Sequence, residues 1–400
     1  MSAAHLQAGR CGQHAMSAPG ALPGHDRRLP GSTKAAAPGP LGSVCARRLR
    51  VLGVVAAAML IAACAARAPA PGAKPQVEAA AAPAGSRVLG RSERFVIYQP
   101  APGDTLRSIA ARFLGSESRD WVIADFNGVT QAEPERTLTI PLKQINPAGI
   151  HADQYQTVPI LCYHRFAAGG GSASGHVSGN SGGGKMVVSA ANFAAQLNWL
   201  ARNDYRVITL SQLSSFLQGR QALPKRAVVI TIDDGYESVH RVALPLLRKH
   251  GFAATLFAYT DFIGATDALS WAQLQDLVAS GLIDVQAHSK SHRNLIERTA
   301  TESDDRYRQM LDSEIRIPRE LLERRLSVPV RAYAYPYGDA NQAVLDALVR
   351  ERYQLGVTVN PGGNGFFAQP LMLRRTMIYG DLDLAGFKQK LQTTRGIAAP

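Results

Sequence analysis

From Val158 onward, short apolar runs alternate with longer stretches of helical spacing. The runs at 158–163, 227–232, 253–259, 283–287, 332–335 and 355–359 predict strands. Between them, apolar residues recur as on helices near 191–203, 237–250, 271–280, 303–325 and 341–352. This alternation predicts an α/β fold with a parallel sheet, as a barrel or an open sheet. In such units functional groups collect at strand C-termini, which is where chemistry should be sought.

A smaller pattern precedes it, over 95–142. Phe95-Val96-Ile97-Tyr98 reads as a strand, and Pro102-Gly103-Asp104 as a turn, with Asp104 or Thr105 capping a helix. Leu106, Ile109, Ala110 and Phe113 then recur at helical spacing. A second apolar set, Trp121, Val122, Ala124 and Phe126, ends at Asn127-Gly128, and Thr137-Leu138-Thr139-Ile140-Pro141 closes a βααβ unit. Residues 143–157 read as a linker, and the Gly/Ser run at 167–185 as a flexible insert after the first large-domain strand.

The beginning of the chain has a different character. Arg47-Arg48-Leu49-Arg50 precedes an apolar run over 51–63, shorter than the roughly 20 residues that span a bilayer. It ends in Leu60-Ile61-Ala62-Ala63-Cys64, which resembles a bacterial lipoprotein box. That resemblance implies a signal segment over 1–63 and lipidation of Cys64; residues 1–43, rich in Gly, Pro, Ala and Ser, are unusual ahead of a signal peptide, so translation is expected to start nearer Val44. Residues 64–94 are Ala/Pro-rich at first and read as a tether. The expected location is the cell envelope, as an exported lipoprotein at an outer membrane or periplasmic face.

Charge modifies this picture little. The formal net charge is +13, and residues 1–63 carry seven bases and one acid, leaving +7 for the remainder. Those charges are scattered, so no nucleic-acid partner is expected. The four cysteines, Cys11, Cys45, Cys64 and Cys162, have no metal-type spacing, and cleavage before Cys64 would leave two. The oligomeric state has no signature in the sequence.

Three strand ends carry candidate chemistry. The 227–232 run ends in Asp233-Asp234-Gly235. Adjacent carboxylates there suit a divalent cation plus a free base, or a helix N-terminus. The second ends in His288-Ser289-Lys290-Ser291-His292. Two imidazoles four residues apart can meet one ion, and with a carboxylate they form a known catalytic set. The third is Tyr333-Ala334-Tyr335-Pro336-Tyr337-Gly338, whose aromatics and tight turn could form a sugar platform and an oxyanion donor, or simply pack.

In this order the elements resemble the polysaccharide deacetylases of carbohydrate esterase family 4, the NodB-homology domain, over 158–392. Thr231-Ile232-Asp233-Asp234-Gly235, His288-Ser289-Lys290-Ser291-His292 and Tyr335-Pro336-Tyr337-Gly338 carry the likeness, and Pro159-Ile160-Leu161-Cys162-Tyr163-His164 resembles the opening strand of exopolysaccharide-type members. The resemblance implies a distorted (β/α) barrel. It implies a divalent metal, usually zinc, on Asp234, His288 and His292, with Asp233 as base and the Tyr337 N–H facing the oxyanion. Tyr335, Pro336 and Tyr337 would contact substrate. The smaller unit resembles a LysM module through Pro102-Gly103-Asp104-Thr105-Leu106, Ser108-Ile109-Ala110, Asn127 and Leu138-Thr139-Ile140-Pro141, which implies binding to GlcNAc-containing glycans.

The expected activity is therefore removal of N-acetyl groups from a GlcNAc-containing polysaccharide, poly-N-acetylglucosamine or peptidoglycan. Two family features have no counterpart. Ala334 stands where an arginine often orients the base, leaving Arg331 or Arg375 to substitute. No histidine follows His292, so the general acid is unassigned; His164 is a stand-in, with a structural role at its strand end as the leading expectation. Asp381 and Asp383 lie near the place of a fourth-motif acid. Two alternatives follow: an O-acetyl esterase, and an inactive glycan-binding envelope lipoprotein.

Overall fold

The fold is described from a computed structural model, over residues 85–168 and 184–397. The expectations on the signal segment, on Cys64 and on most of the tether and Gly/Ser run lie outside these residues. Among the described residues, no helix is long and apolar enough to cross a membrane.

The smaller unit comprises β1 (Arg87–Arg91), β2 (Phe95–Gln99), α1 (Leu106–Leu114), α2 (Asp120–Asn127) and β3 (Leu138–Pro141). Its sheet runs β1-β2-β3, with both pairings antiparallel. Strand β1 lies ahead of the expected boundary at 95. Its residues are almost all exposed, so no buried face imposes an alternation on the sequence. Thr105, not Asp104, caps α1: its hydroxyl accepts from Ser108 N at 3.0 Å, while Ser108 Oγ accepts from Thr105 N at 3.0 Å. Asp104 turns inward and accepts from Tyr98 OH and Ala101 N.

In the larger unit, β4 (Gln154–Gln156) precedes β5 (Val158–Tyr163), β6 (Arg165–Ala167), β7 (Val187–Ser189), α3 (Ala190–Arg202), β8 (Arg206–Val207) and α4 (Leu210–Leu217). Then come β9 (Ala227–Ile232), α5 (Leu244–His250), β10 (Ala254–Ala258), α6 (Trp271–Ala279), β11 (Ile283–Ala287), α7 (Asp304–Leu326), β12 (Ala332–Ala334) and α8 (Gln342–Arg350). The chain continues through β13 (Leu355–Val357), β14 (Gly363–Asn364), β15 (Thr376–Met377), α9 (Leu384–Gln389) and β16 (Thr394–Gly396). Trp271 opens α6 behind the Ser270 cap and packs against the core.

Strands β13-β12-β11-β10-β9-β5 form a parallel array. All six residues of β5 and of β9 are buried, as expected for strands covered on both faces. The sheet curls into a half-barrel. Leu373 bridges Val357 at the end of β13, and Thr376 and Met377 pair in parallel with Leu161 and Cys162 of β5. Residues 373–377 thus touch both edges of the curl.

The smaller unit docks where β8 and β9 begin, at the end of the sheet opposite the candidate motifs. Asp120 meets Arg206 at 2.8 Å, and Asp125 Oδ2 accepts from Lys225 N at 2.9 Å.

Candidate active site

The Asp233-Asp234-Gly235 turn leaves β9 with Asp234 and Gly235 at φ 74° and 97°. The next strand end places Ser289 at 73° and His292 at 61°, and Tyr337 sits at 62°. Positive φ is costly for residues with a Cβ, so its concentration at three strand ends on one end of the sheet marks backbone held in place for a purpose.

The His288–His292 loop is clamped from behind. Buried Glu314 of α7 accepts from Lys290 N at 3.0 Å, Ser291 N at 2.9 Å and Ser291 Oγ at 2.7 Å. Ser289 Oγ accepts from His292 N at 2.8 Å. His288 Nδ1 lies 2.9 Å from the Ala334 carbonyl, an acceptor that assigns the ring proton to Nδ1 and leaves Nε2 facing the site.

Both Nε2 atoms, of His288 and His292, lie 3.5 Å from Asp234 Oδ1. One ligand atom from each of the three residues falls within 4.8 Å of the others. Donors around a tetrahedral zinc stand about 3.3 Å apart. Spacing, donor types and the Nδ1 anchor all fit a divalent ion. Burial, then the charge of His288, lowers His292, which suits a neutral ligand. Burial would also lower His288, but its hydrogen bond to Asp234 and the two carboxylates outweigh this and raise it.

Asp233 belongs to a different network. Arg375 Nη1 and Nη2 donate to its Oδ1 and Oδ2 at 2.6 and 2.7 Å. Arg375 is fully buried and is fixed in turn by donation from Nε to Thr358 O at 2.8 Å. Burial alone would push the Asp233 carboxyl up; the guanidinium and His288 outweigh it and hold Asp233 well below the usual carboxylate range. Cys162, whose thiol burial pushes far up, donates to Asp233 Oδ2 at 3.5 Å. Of the two arginines named from the sequence, Arg331 is exposed and Arg375 supplies the partner.

His164 stands at the end of β5 beside both carboxylates. Its Nδ1 is buried without a hydrogen-bond partner among the described residues. Burial lowers it, against the pull of Asp233 and Asp234. Cys162, His164 and Asp233 also cluster at metal-like distances, but both oxygens of Asp233 are engaged by Arg375, whose charge opposes a cation there. Asp381 and Asp383 do not join the site: both are exposed, and Asp383 caps α9 by accepting from Gly386 N at 2.7 Å.

The three expected sugar contacts differ in burial. Tyr335 is fully buried, and its hydroxyl donates to Leu371 O at 2.6 Å across Gly356, where any Cβ would collide with it. Pro336 is buried as well. Both pack in the core because β12 and the residues after it are covered on both faces. Tyr337 alone of the three is exposed, at 61%, with its ring edge-on to His292 at 5.0 Å.

The polysaccharide deacetylase family model matches residues 220–356, a stretch that holds Asp233, Asp234, His288, His292 and Tyr337 but neither His164 nor Arg375. The chain is 29% identical over 215 residues to YxkH of Bacillus subtilis, named as a polysaccharide deacetylase, covering 54% of this chain and 69% of that protein. It is 28% identical over 177 residues to the poly-β-1,6-N-acetyl-D-glucosamine N-deacetylase of Staphylococcus epidermidis, covering 43% and 61%. The Streptococcus pyogenes deacetylase PplD, solved with acetate, matches at a TM-score of 0.51 and 24% identity, over 59% of this chain and 98% of that one. The de-N-acetylase of Aggregatibacter actinomycetemcomitans matches at 0.52 and 19%, over 60% and 100%. These two structural likenesses are likenesses of fold. With the matched motifs gathered at one end of a curled α/β sheet, the chain carries a polysaccharide deacetylase domain and is a deacetylase hydrolase.

Proposed function

We propose that the chain removes N-acetyl groups from a GlcNAc-containing polysaccharide in the cell envelope, with exported poly-N-acetylglucosamine as the first substrate and peptidoglycan as the second. The observation that carries this reading is the division of labour between adjacent carboxylates: Asp234 joins two imidazoles, while Asp233 is held ionised by Arg375. Relatives named for poly-β-1,6-N-acetyl-D-glucosamine favour the exported polymer.

Asp234, His288 and His292 would hold a divalent metal, zinc by family resemblance, which supplies Lewis acidity at the acetamide carbonyl. Asp233 takes the proton of the attacking water, and Arg375 keeps that carboxylate aimed and charged. The Tyr337 N–H faces the developing oxyanion. His164 delivers a proton to the leaving sugar amine; its burial works against the charged form and the neighbouring Asp233 and Asp234 work for it, and its unpartnered Nδ1 favours this role over a purely structural one. Atoms balance as amide plus water giving acetate and amine. The pairing of Arg375 with Asp233 and the place of His164 beside the carboxylates speak against an inactive glycan-binding reading, which depended on those two gaps.

The same proposal places a lipid on Cys64 and assigns the smaller unit to glycan binding. The test is acetate release by the purified chain with zinc, from poly-N-acetylglucosamine and peptidoglycan in parallel. Release that disappears in Asp233→Asn supports the reading, and the preferred polymer selects the substrate. Zinc binding without release from either polymer sinks it and leaves an O-acetyl substrate or an inactive glycan binder.

A further inference from the structure

Rings from four successive strand ends touch one another beside the candidate metal ligands. Tyr236, after β9, stands edge-on to Phe262 at 5.3 Å. Phe262 stacks on Tyr259, both after β10, at 5.0 Å and 11°. Tyr259 lies 5.2 Å from His292, after β11, and His292 lies 5.0 Å from Tyr337, after β12. The Arg165 guanidinium covers Tyr236 at 5.2 Å and ends the row.

Tyr236, Tyr259, Phe262 and His292 are half-buried and Tyr337 is exposed. Core packing would have buried such rings, as it buries Tyr163, Tyr333 and Tyr335 in the same domain. A partly exposed aromatic with a hydroxyl tip matches a sugar, which has apolar C–H faces and a hydroxyl rim. The position of His292 within the row matters most. In the order of ring contacts it stands between those three rings and Tyr337, so the row runs past a candidate metal ligand rather than ending at it.

We propose that this row is a two-sided polymer subsite: Tyr259, Phe262 and Tyr236 hold the chain on one side of the reacting sugar, Tyr337 holds it on the other, and internal residues react in preference to monomers and chain ends. The inference rests on the deacetylase reading above and specifies which part of the polymer is attacked. Phe262 is the informative residue, because its ring contacts are with Tyr236 and Tyr259 and not with a candidate metal ligand.

The experiment uses GlcNAc oligomers from monomer to hexamer, in β-1,6 and β-1,4 linkage, with the wild type, Phe262→Ala and Phe262→Leu. The position of each new amine is read by fragmentation mass spectrometry. The wild type should act on internal residues, with kcat/KM rising with chain length. Phe262→Ala should raise KM for the pentamer about tenfold more than for the dimer, with Phe262→Leu between. Equal losses at every length, or preferred attack at chain ends, would overturn the subsite. Calorimetric binding of the same oligomers to the Asp233→Asn protein, with and without Phe262→Ala, reads the subsite without turnover. If no oligomer is deacetylated, length-dependent binding weakened by Phe262→Ala upholds the row while the substrate reading fails; length-independent binding overturns the row itself.

Discussion

Arg375 and Asp233 are 142 positions apart in the chain, yet they form a bidentate pair with both partners buried. Arg375 reaches Asp233 because residues 373–377 span from the edge of β13 to the edge of β5. Replacing Arg375 with Ala leaves a buried carboxylate unpaired, at a cost of about 3–5 kcal/mol. We expect a lower unfolding midpoint in urea and little activity. Combining Arg375→Met with Asp233→Asn should recover much of the stability and none of the activity. In the wild type the sign with pH is fixed by the depressed Asp233 value. The pair's stabilisation is complete above the unfolded carboxylate value of about 3.9 and is lost as pH falls through the lower folded value. Urea midpoints across acid pH, compared with Asp233→Asn, check this.

His164→Gln tests the proton donor. Deacetylation of an N-acetyl sugar should fall about 10²–10⁴-fold, the usual range for a general acid. An aryl acetate releases a leaving group that needs no proton, so its hydrolysis should fall far less. Equal losses on both substrates would assign His164 a structural role.

Zinc binding should depend on pH through His288. Its raised value means that binding displaces a proton. Affinity measured by calorimetry should therefore weaken as pH falls through a value above the ordinary histidine value of about 6.5. A pH-independent affinity would contradict the assignment of His288 as a ligand.

Glu314→Ala removes the acceptor for two backbone N–H groups and one hydroxyl in the loop between the histidines. Supporting groups of this kind are worth about 10–100-fold in metal affinity. We expect a loss of that size, measured by competition with a chelator, even though Glu314 is not itself a candidate ligand.

Tyr335→Phe separates packing from substrate contact. It deletes the hydrogen bond to Leu371 O, a loss of about 1 kcal/mol in unfolding free energy. KM for polymer should stay at the wild-type value; a large rise would restore Tyr335 to the substrate groove.

Much of the catalytic half was legible because its chemistry is local. Asp233, Asp234, His288 and His292 sit in short contiguous motifs, each following an apolar run long enough to read as a strand, and parallel α/β sheets put strand ends together. The helices at 190–202, 271–279 and 304–326 follow the same apolar periodicity. Strand β15, next to Arg375, has two residues, too few to carry any period.

What the sequence determined by itself was the set of groups and the end of the sheet where they gather, since both follow from local pattern and from the direction of parallel strands. Only tertiary structure decided which arginine meets Asp233, that His164 lies among the carboxylates, and that Tyr335 is covered while Tyr337 is open. The physical reason is closure of the curl. It brings β5 and the 373–377 segment onto the motif strands, and whether a side chain is a core residue or a site residue depends on what that closure lays over it.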